Sequence, residues 1–119
     1  MKILVLDDDE IYASELMAIL KEYKYESLWL KDSVNINEQI GLFKPDVFLC
    51  DLKMPVSGFE VAYHVNAKYP SLIILGITSY FDIHNEHWLV KICGMKKVFD
   101  KSNIECLIAY LGSCHVRFG

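Results

Sequence analysis

The sequence contains no apolar run near the roughly 18–20 residues needed to span a bilayer. Its opening Met1-Lys2-Ile3-Leu4-Val5-Leu6 is too short for a secretory signal and leads directly into acids. A cytoplasmic protein without a membrane role is therefore expected. No Cys-x-x-Cys pair occurs among Cys50, Cys93, Cys106 and Cys114, so zinc and redox motifs are unsupported. The expectation for them is buried, reduced thiols. There is no basic excess either. A net charge of −4 argues against direct nucleic acid binding, which needs a basic patch to meet phosphates. No internal repeat, low-complexity tract or evident linker divides the 119 residues. One domain over residues 1–119 is expected, with 112–119 read as the start of a linker.

Hydrophobic residues make up 53% of the chain, enough for a substantial core. Ile3-Leu4-Val5-Leu6, Val47-Phe48-Leu49-Cys50 and the run from Leu72 to Ile77 are nearly continuous apolar stretches. Strands buried on both faces have this character. Tyr25-Glu26-Ser27-Leu28-Trp29-Leu30 is more mixed and reads as one edge strand. Lys97-Val98-Phe99-Asp100 is short, flanked by charge, and reads as the other. Helical stripes lie between the strands. They comprise Tyr12, Leu16, Ile19, Leu20 and Tyr23; Ile36, Ile40 and Phe43; and Phe59, Ala62 and Tyr63, ending near Pro70. A fourth comprises Trp88, Ile92 and Met95, ending around Gly94, and a fifth Ile104, Leu107, Ile108 and Leu111. Ser102-Asn103-Ile104-Glu105 has the pattern of a capping box at the start of the fifth helix. Five strand–helix units in this order predict an α/β, doubly wound, five-stranded parallel sheet.

Ligands of such sheets bind beyond the carboxyl ends of the strands, where the strand order switches. The residues at those ends are therefore decisive. The first strand ends in Asp7-Asp8-Asp9, the third in Asp51, the fourth in Thr78-Ser79 and the fifth in Asp100-Lys101. Several carboxylates, a hydroxyl and a lysine should meet at one rim. Carboxylates crowded in a partly desolvated cleft repel one another. A hard divalent cation with oxygen ligands, Mg²⁺ or Mn²⁺, relieves that repulsion and can bridge to a phosphoryl group.

Asp7-Asp8 after Ile-Leu-Val-Leu, Pro45-Asp46-Val47-Phe48-Leu49-Cys50-Asp51-Leu52-Lys53-Met54-Pro55, Ile77-Thr78-Ser79 and Phe99-Asp100-Lys101 resemble the receiver domain of two-component response regulators. The resemblance spans nearly the whole chain and implies the flavodoxin-like (βα)5 fold with strand order 2-1-3-4-5. It implies Asp51 as phosphoacceptor, Asp8 as the direct metal-binding acid and Asp7 as a metal neighbour through water. The Lys53 carbonyl would be a further metal ligand, with Thr78 and Lys101 as the switch pair that meets the phosphoryl group. The implied phosphodonor is a phosphohistidine of a sensor kinase or phosphotransfer protein. The implied output is a changed surface at the fourth helix, fifth strand and fifth helix, for an effector or a second copy. Such a protein is a regulator rather than a conventional enzyme.

Three features depart from the family pattern. Only Val56 and Ser57 separate Pro55 from Gly58, one residue fewer than usual. Ser102 follows Lys101 where proline is usual, so a trans peptide or an altered lysine pose is expected. Val98 occupies the aromatic switch position, and strand alternation sends Phe99 to the other face. Lys53 and Tyr80 fall where the family tunes the lifetime of the phosphoryl group.

Plainer readings compete. Asp7-Asp8-Asp9 also suits a helix cap and acidic first turn, and Asp9 is assigned to the cap. Asp51 could be a turn acid, Thr78 a loop hydroxyl and Lys101 a solvated lysine. His84 and His87, three apart on a helix, lack a third ligand and read as surface residues, like His64 and His115. Cys50 points away from the rim and reads as core, and Trp88 and Ile92 as core or interface. Two other functions stand beside phosphoacceptance. One is a degenerate receiver acting as a phosphorylation-independent interaction module. The other is a small haloacid-dehalogenase-like phosphohydrolase, suggested by Asp7-x-Asp9 and opposed by the lack of a late acidic pair.

Overall fold

A computed structural model describes residues 1–79, 88 and 90–118. Five strands form one parallel sheet in the order β2-β1-β3-β4-β5. They are β1 (Lys2–Leu6), β2 (Glu26–Leu30), β3 (Val47–Asp51), β4 (Ile73–Thr78) and β5 (Met95–Asp100). Alternating with them are α1 (Glu10–Glu22), α2 (Ile36–Phe43), α3 (Gly58–Lys68) and α5 (Ile104–Phe118). Residues 88 and 90–92 are also helical and are labelled α4. The doubly wound fold and its strand order are those expected. Tyr80, His84 and His87 lie outside the described residues.

The period-2 alternation of the strands divides the interior into two cores. Leu4, Leu6, Phe48, Cys50 and Ile74 face α2 and α3, where they meet Ile40, Phe59, Ala62 and Val65. Ile3, Val5, Leu49, Ile77 and Phe99 face α1 and α5, where they meet Leu16, Leu20, Leu107 and Leu111. Cys50 is thus core, as read, and Phe99 lies on the face opposite Val98. Cys50, Cys93 and Cys114 are buried and form no disulfide, whereas Cys106 is exposed, against expectation. Of the two readings of Trp88 and Ile92, core or interface, their exposure overturns core. His64 and His115 are exposed, as read.

Two boundaries differ instructively. Met95, read as the end of a helical stripe, is the buried first residue of β5. The exposed Lys96 and Lys97 follow it on this edge strand, so the strand lacks an apolar run. At α5 the cap lies one residue later than the capping box implies. The Asn103 side chain accepts from the Cys106 backbone N–H at 3.4 Å, while the Ser102 hydroxyl donates to Asp100 Oδ1 at 2.7 Å. Of residues 112–119, read as the start of a linker, 112–118 continue α5. Among the described residues no helix is long and apolar enough to cross a membrane.

Candidate functional site

The ends of β1, β3, β4 and β5 converge at the point where the strand order reverses. β1 lies between β2 and β3, so the crossover from β1 to β2 and the one from β2 to β3 run in opposite directions across the sheet. Asp7 follows β1 immediately, with its N–H donating to the Leu30 carbonyl at 3.1 Å. Its own carbonyl accepts the Trp29 indole N–H at 2.8 Å. Asp7 Oδ1 accepts the Asp9 N–H at 2.9 Å, and Asp9 Oδ1 in turn caps α1 by accepting the Ile11 and Tyr12 N–H groups. Asp9 is therefore the cap, as expected. This leaves the exposed Asp8 at the mouth, beside a cleft of about 370 Å³ also lined by Lys31, Met54, Pro55 and Val56. A larger cleft, about 540 Å³, opens elsewhere between Ile40, Lys44, Lys68 and Tyr69 and includes none of the strand-end acids.

Asp51 ends β3 and is almost wholly buried. Its Oδ1 accepts the Lys53 N–H at 3.1 Å, which turns the chain back at the rim. The loop then closes on Gly58, whose N–H donates to the Leu52 carbonyl at 3.3 Å. Gly58 is required there: a Cβ would lie 2.0 Å from the Asp51 carbonyl oxygen. The short Val56-Ser57 connection thus brings the first residue of α3 against the backbone of Asp51.

Asp7, Asp8 and Asp51 each present a carboxylate oxygen, and these atoms all lie within 4.8 Å of one another. Lys101 reaches in from the end of β5, with Nζ 2.8 Å from Asp7 Oδ2 and 3.5 Å from Asp51 Oδ2. Asp7 Oδ2 is buried, and the Lys101 ammonium is the group that compensates it. Burial pushes the Asp51 carboxyl up to about 7; the Lys53 N–H opposes this, the Asp7 charge adds to it and the Lys101 charge opposes it. For Lys101, burial would lower the pKa, but the pairing with Asp7 and the charge of Asp51 outweigh it and raise it.

Two of these strand ends are stapled together, since the Lys101 N–H donates to the Thr78 carbonyl at 2.8 Å. Thr78 itself is fully buried. A group of acids, a buried hydroxyl-bearing residue and a lysine on adjacent parallel strands is the arrangement implied by the sequence resemblance. Residues 3–111 match the family model described as the response regulator receiver domain. The chain belongs to the response regulator receiver family.

The chain is also similar to other proteins of known sequence or structure. The receiver is 27% identical over 86 residues to the Regulator of RpoS from Escherichia coli K12, an alignment covering 69% of this chain. It spans about a quarter of the length of that relative, with 26% covered. Its fold is similar to that of Vibrio cholerae chemotaxis protein CheY4, with TM-score 0.85, 24% identity and coverage of 94% of this chain and 96% of that one. The receiver domain of Francisella response regulator 1452 gives TM-score 0.87 at 20% identity, covering 99% and 98%. Thermotoga maritima TrrA, solved in complex with Mg²⁺ and BeF, gives 0.83 at 24% identity, covering 94% and 96%. Membership of the family displaces the phosphohydrolase alternative.

Within this receiver the three departures have clear local forms. The peptide before Ser102 is trans, as no cis bond occurs among the described residues. Asp100 takes over the shaping of this turn: its Oδ1 accepts the Ser102 N–H at 2.8 Å as well as the hydroxyl, and its carbonyl accepts the Asn103 N–H at 3.0 Å. Lys101 still reaches the acids. Val98 is half-buried and sits opposite Gly76 on β4, where a Cβ would meet Val98 Cγ2 at 3.1 Å. Sequence reasoning missed Tyr12, assigned only to the apolar stripe of α1. Its ring lies 4.8 Å from Lys101 Nζ. Burial first, then the charges of Asp7, Asp100 and Asp51, push its phenol up to about 12, so it stays neutral.

The Asp51 shift predicts a pH dependence of stability in metal-free protein. Its folded pKa, about 7, lies above the ordinary 3.8. The stabilising contribution is complete below the ordinary value and is lost as pH rises through the folded one. Asp51→Asn should therefore flatten the fall in stability across this window and melt a few degrees higher at pH 8. Thermal melts in EDTA from pH 4 to 8 check this; parallel native and variant curves would refute it.

Proposed function

We propose that this receiver accepts a phosphoryl group on Asp51 from a phosphohistidine of a sensor kinase or phosphotransfer protein, with a divalent cation held beside it. The observation that carries the reading is the convergence of Asp7, Asp8 and Asp51 opposite the Lys101 ammonium. The hard oxygen donors of this cluster fit Mg²⁺ or Mn²⁺. The closeness of three carboxylates, two of them beside the Lys101 ammonium, supports the fit. Asp8, Asp51 and the Lys53 carbonyl would hold the cation, with Asp7 reaching it through water. When bound, the cation supplies charge neutralisation for the acids and for the incoming phosphoryl oxygens.

The protein's own groups account for the rest of the chemistry. An Asp51 carboxylate oxygen forms the new P–O bond as the P–N bond of the phosphohistidine breaks, and the imidazole leaves with the electron pair. The Lys53 N–H fixes the carboxylate in orientation, which favours in-line attack. Lys101, already beside Asp51 Oδ2, can follow charge from the carboxylate to a phosphoryl oxygen. Thr78, at the end of the adjacent strand, supplies the hydroxyl that turns toward the new group. Their rearrangement alters the surface of α4, β5 and α5, which meets an effector or a second copy. Such a signalling role suits the cytoplasm. Phosphorylation-independent binding is the competing reading, and the same experiment separates the two. Intact mass is measured after incubation with acetyl phosphate, with and without Mg²⁺. A gain of one phosphoryl group that requires both Mg²⁺ and Asp51, and is absent in Asp51→Ala, is expected. No gain by folded protein would refute phosphoacceptance and favour the interaction module.

A further inference from the structure

Lys101 must serve two partners, a carboxylate cluster at rest and a phosphoryl group after transfer, without leaving the rim for solvent. Its side chain is 13% exposed, so an exit to water exists. Asp7 and Asp51 lie on one side of the ammonium, at 2.8 and 3.5 Å. The Tyr12 ring supplies another boundary, with its centroid 4.8 Å from Nζ. Tyr12 is fixed in turn. It sits in the first turn of α1, its N–H is held by the cap Asp9, and it packs against the core formed by α1, α5 and the sheet. The face of an aromatic ring attracts a cation, more strongly where water is partly excluded.

We propose that Tyr12 is a positioning residue for phosphoryl transfer, its ring holding the Lys101 ammonium at the carboxylate cluster. The ring needs no phenol for this, since the attraction comes from the π face. The charged groups facing the same ammonium are Asp7 and Asp51; Tyr12 adds direction without adding another negative charge to an already crowded cluster. Leucine at position 12 could fill much of the apolar volume but would give the ammonium no attractive surface. The proposal for the reaction rests on Asp51 phosphoacceptance, whereas the placement of Lys101 can be tested without it.

The experiment uses the full chain with Tyr12→Phe, Tyr12→Leu and Tyr12→Trp, and two readouts. The first is the rate of phosphorylation by acetyl phosphate with Mg²⁺. The second is the rate at which acetic anhydride acetylates Lys101, followed by peptide mass without phosphodonor. Tyr12→Leu should phosphorylate roughly three- to tenfold more slowly and acetylate faster by a similar factor. Tyr12→Phe should restore both rates to within about twofold, because benzene and phenol rings attract cations comparably. Should Tyr12→Leu not fold, Tyr12→Trp tests the point from the other side, with Lys101 acetylated more slowly than in the native chain. If no variant, nor the native chain, is phosphorylated, phosphoacceptance fails while acetylation still decides the positioning role. Native acetylation rates in Tyr12→Leu and Tyr12→Trp would overturn the proposal. So would equal impairment of Tyr12→Phe and Tyr12→Leu, which would assign the role to the hydroxyl.

Discussion

Lys101→Met should cost about 3 kcal/mol of folding stability at pH 8 in EDTA, near the lower end of what breaking a buried ion pair costs. Methionine preserves most of the apolar stem but removes the ammonium that compensates the buried Asp7 Oδ2. The partial exposure of Lys101 keeps the expected cost from the upper end. The loss should shrink at pH 5. There Asp51, already pushed up to about 7 by burial, is protonated, and the cluster carries less uncompensated charge. Urea unfolding at the two pH values measures the difference. Phosphorylation of the same variant should be slower by roughly a hundredfold, the usual consequence of removing one fixed charge-stabilising donor. Equal stability loss at both pH values would show that packing, not charge, explains the effect.

Gly58→Ala should be comparably damaging, through geometry instead of charge. The added Cβ would meet three backbone atoms, the Asp51 oxygen at 2.0 Å and the Asp51 carbon and Leu52 Cα at 2.7 Å. No flexible side chain can yield there, so either α3 or the end of β3 must move. Overpacking of this kind costs about 3 kcal/mol or more. The Cys50 thiol, which donates to the Gly58 carbonyl at 3.4 Å, would shift with it. A displacement of about 1 Å at the phosphoacceptor can reduce transfer about a hundredfold. A variant that folds with native urea stability would show that the loop absorbs the methyl by opening, and its phosphorylation rate would then report how far Asp51 had moved.

The central strands were legible because burial on both faces leaves a plain chemical record. Val47-Phe48-Leu49-Cys50 has no polar residue to disguise it. β5 was harder. Its start at Met95 is followed by the exposed Lys96 and Lys97, and Met95 falls three places after Ile92, a spacing that also suits a helix. The pairing of β4 with β5 is itself irregular between Ile74 and Leu75. At α5, Ser102 satisfied the capping pattern, yet a closer acid claimed it; short polar side chains choose among local partners that sequence spacing does not rank. The strand-end acids and Lys101 could be placed at one rim because topology decides that much. Topology does not state that Lys101 would lie nearer Asp7 than Asp51. Nor could spacing separate the two uses of Tyr12, since one aromatic residue satisfies an apolar stripe and borders a cation at once.

The bond from the Trp29 indole to the Asp7 carbonyl gives the molecule an optical probe of its own. Indole emission responds to nearby charge, and Trp29 is bonded to the backbone of one of the clustered acids. The other tryptophan, Trp88, is 57% exposed and open to a soluble quencher. A soluble quencher acts first on the more exposed Trp88, so the remaining emission is weighted toward Trp29 and should report on the rim in the native sequence, without an attached dye.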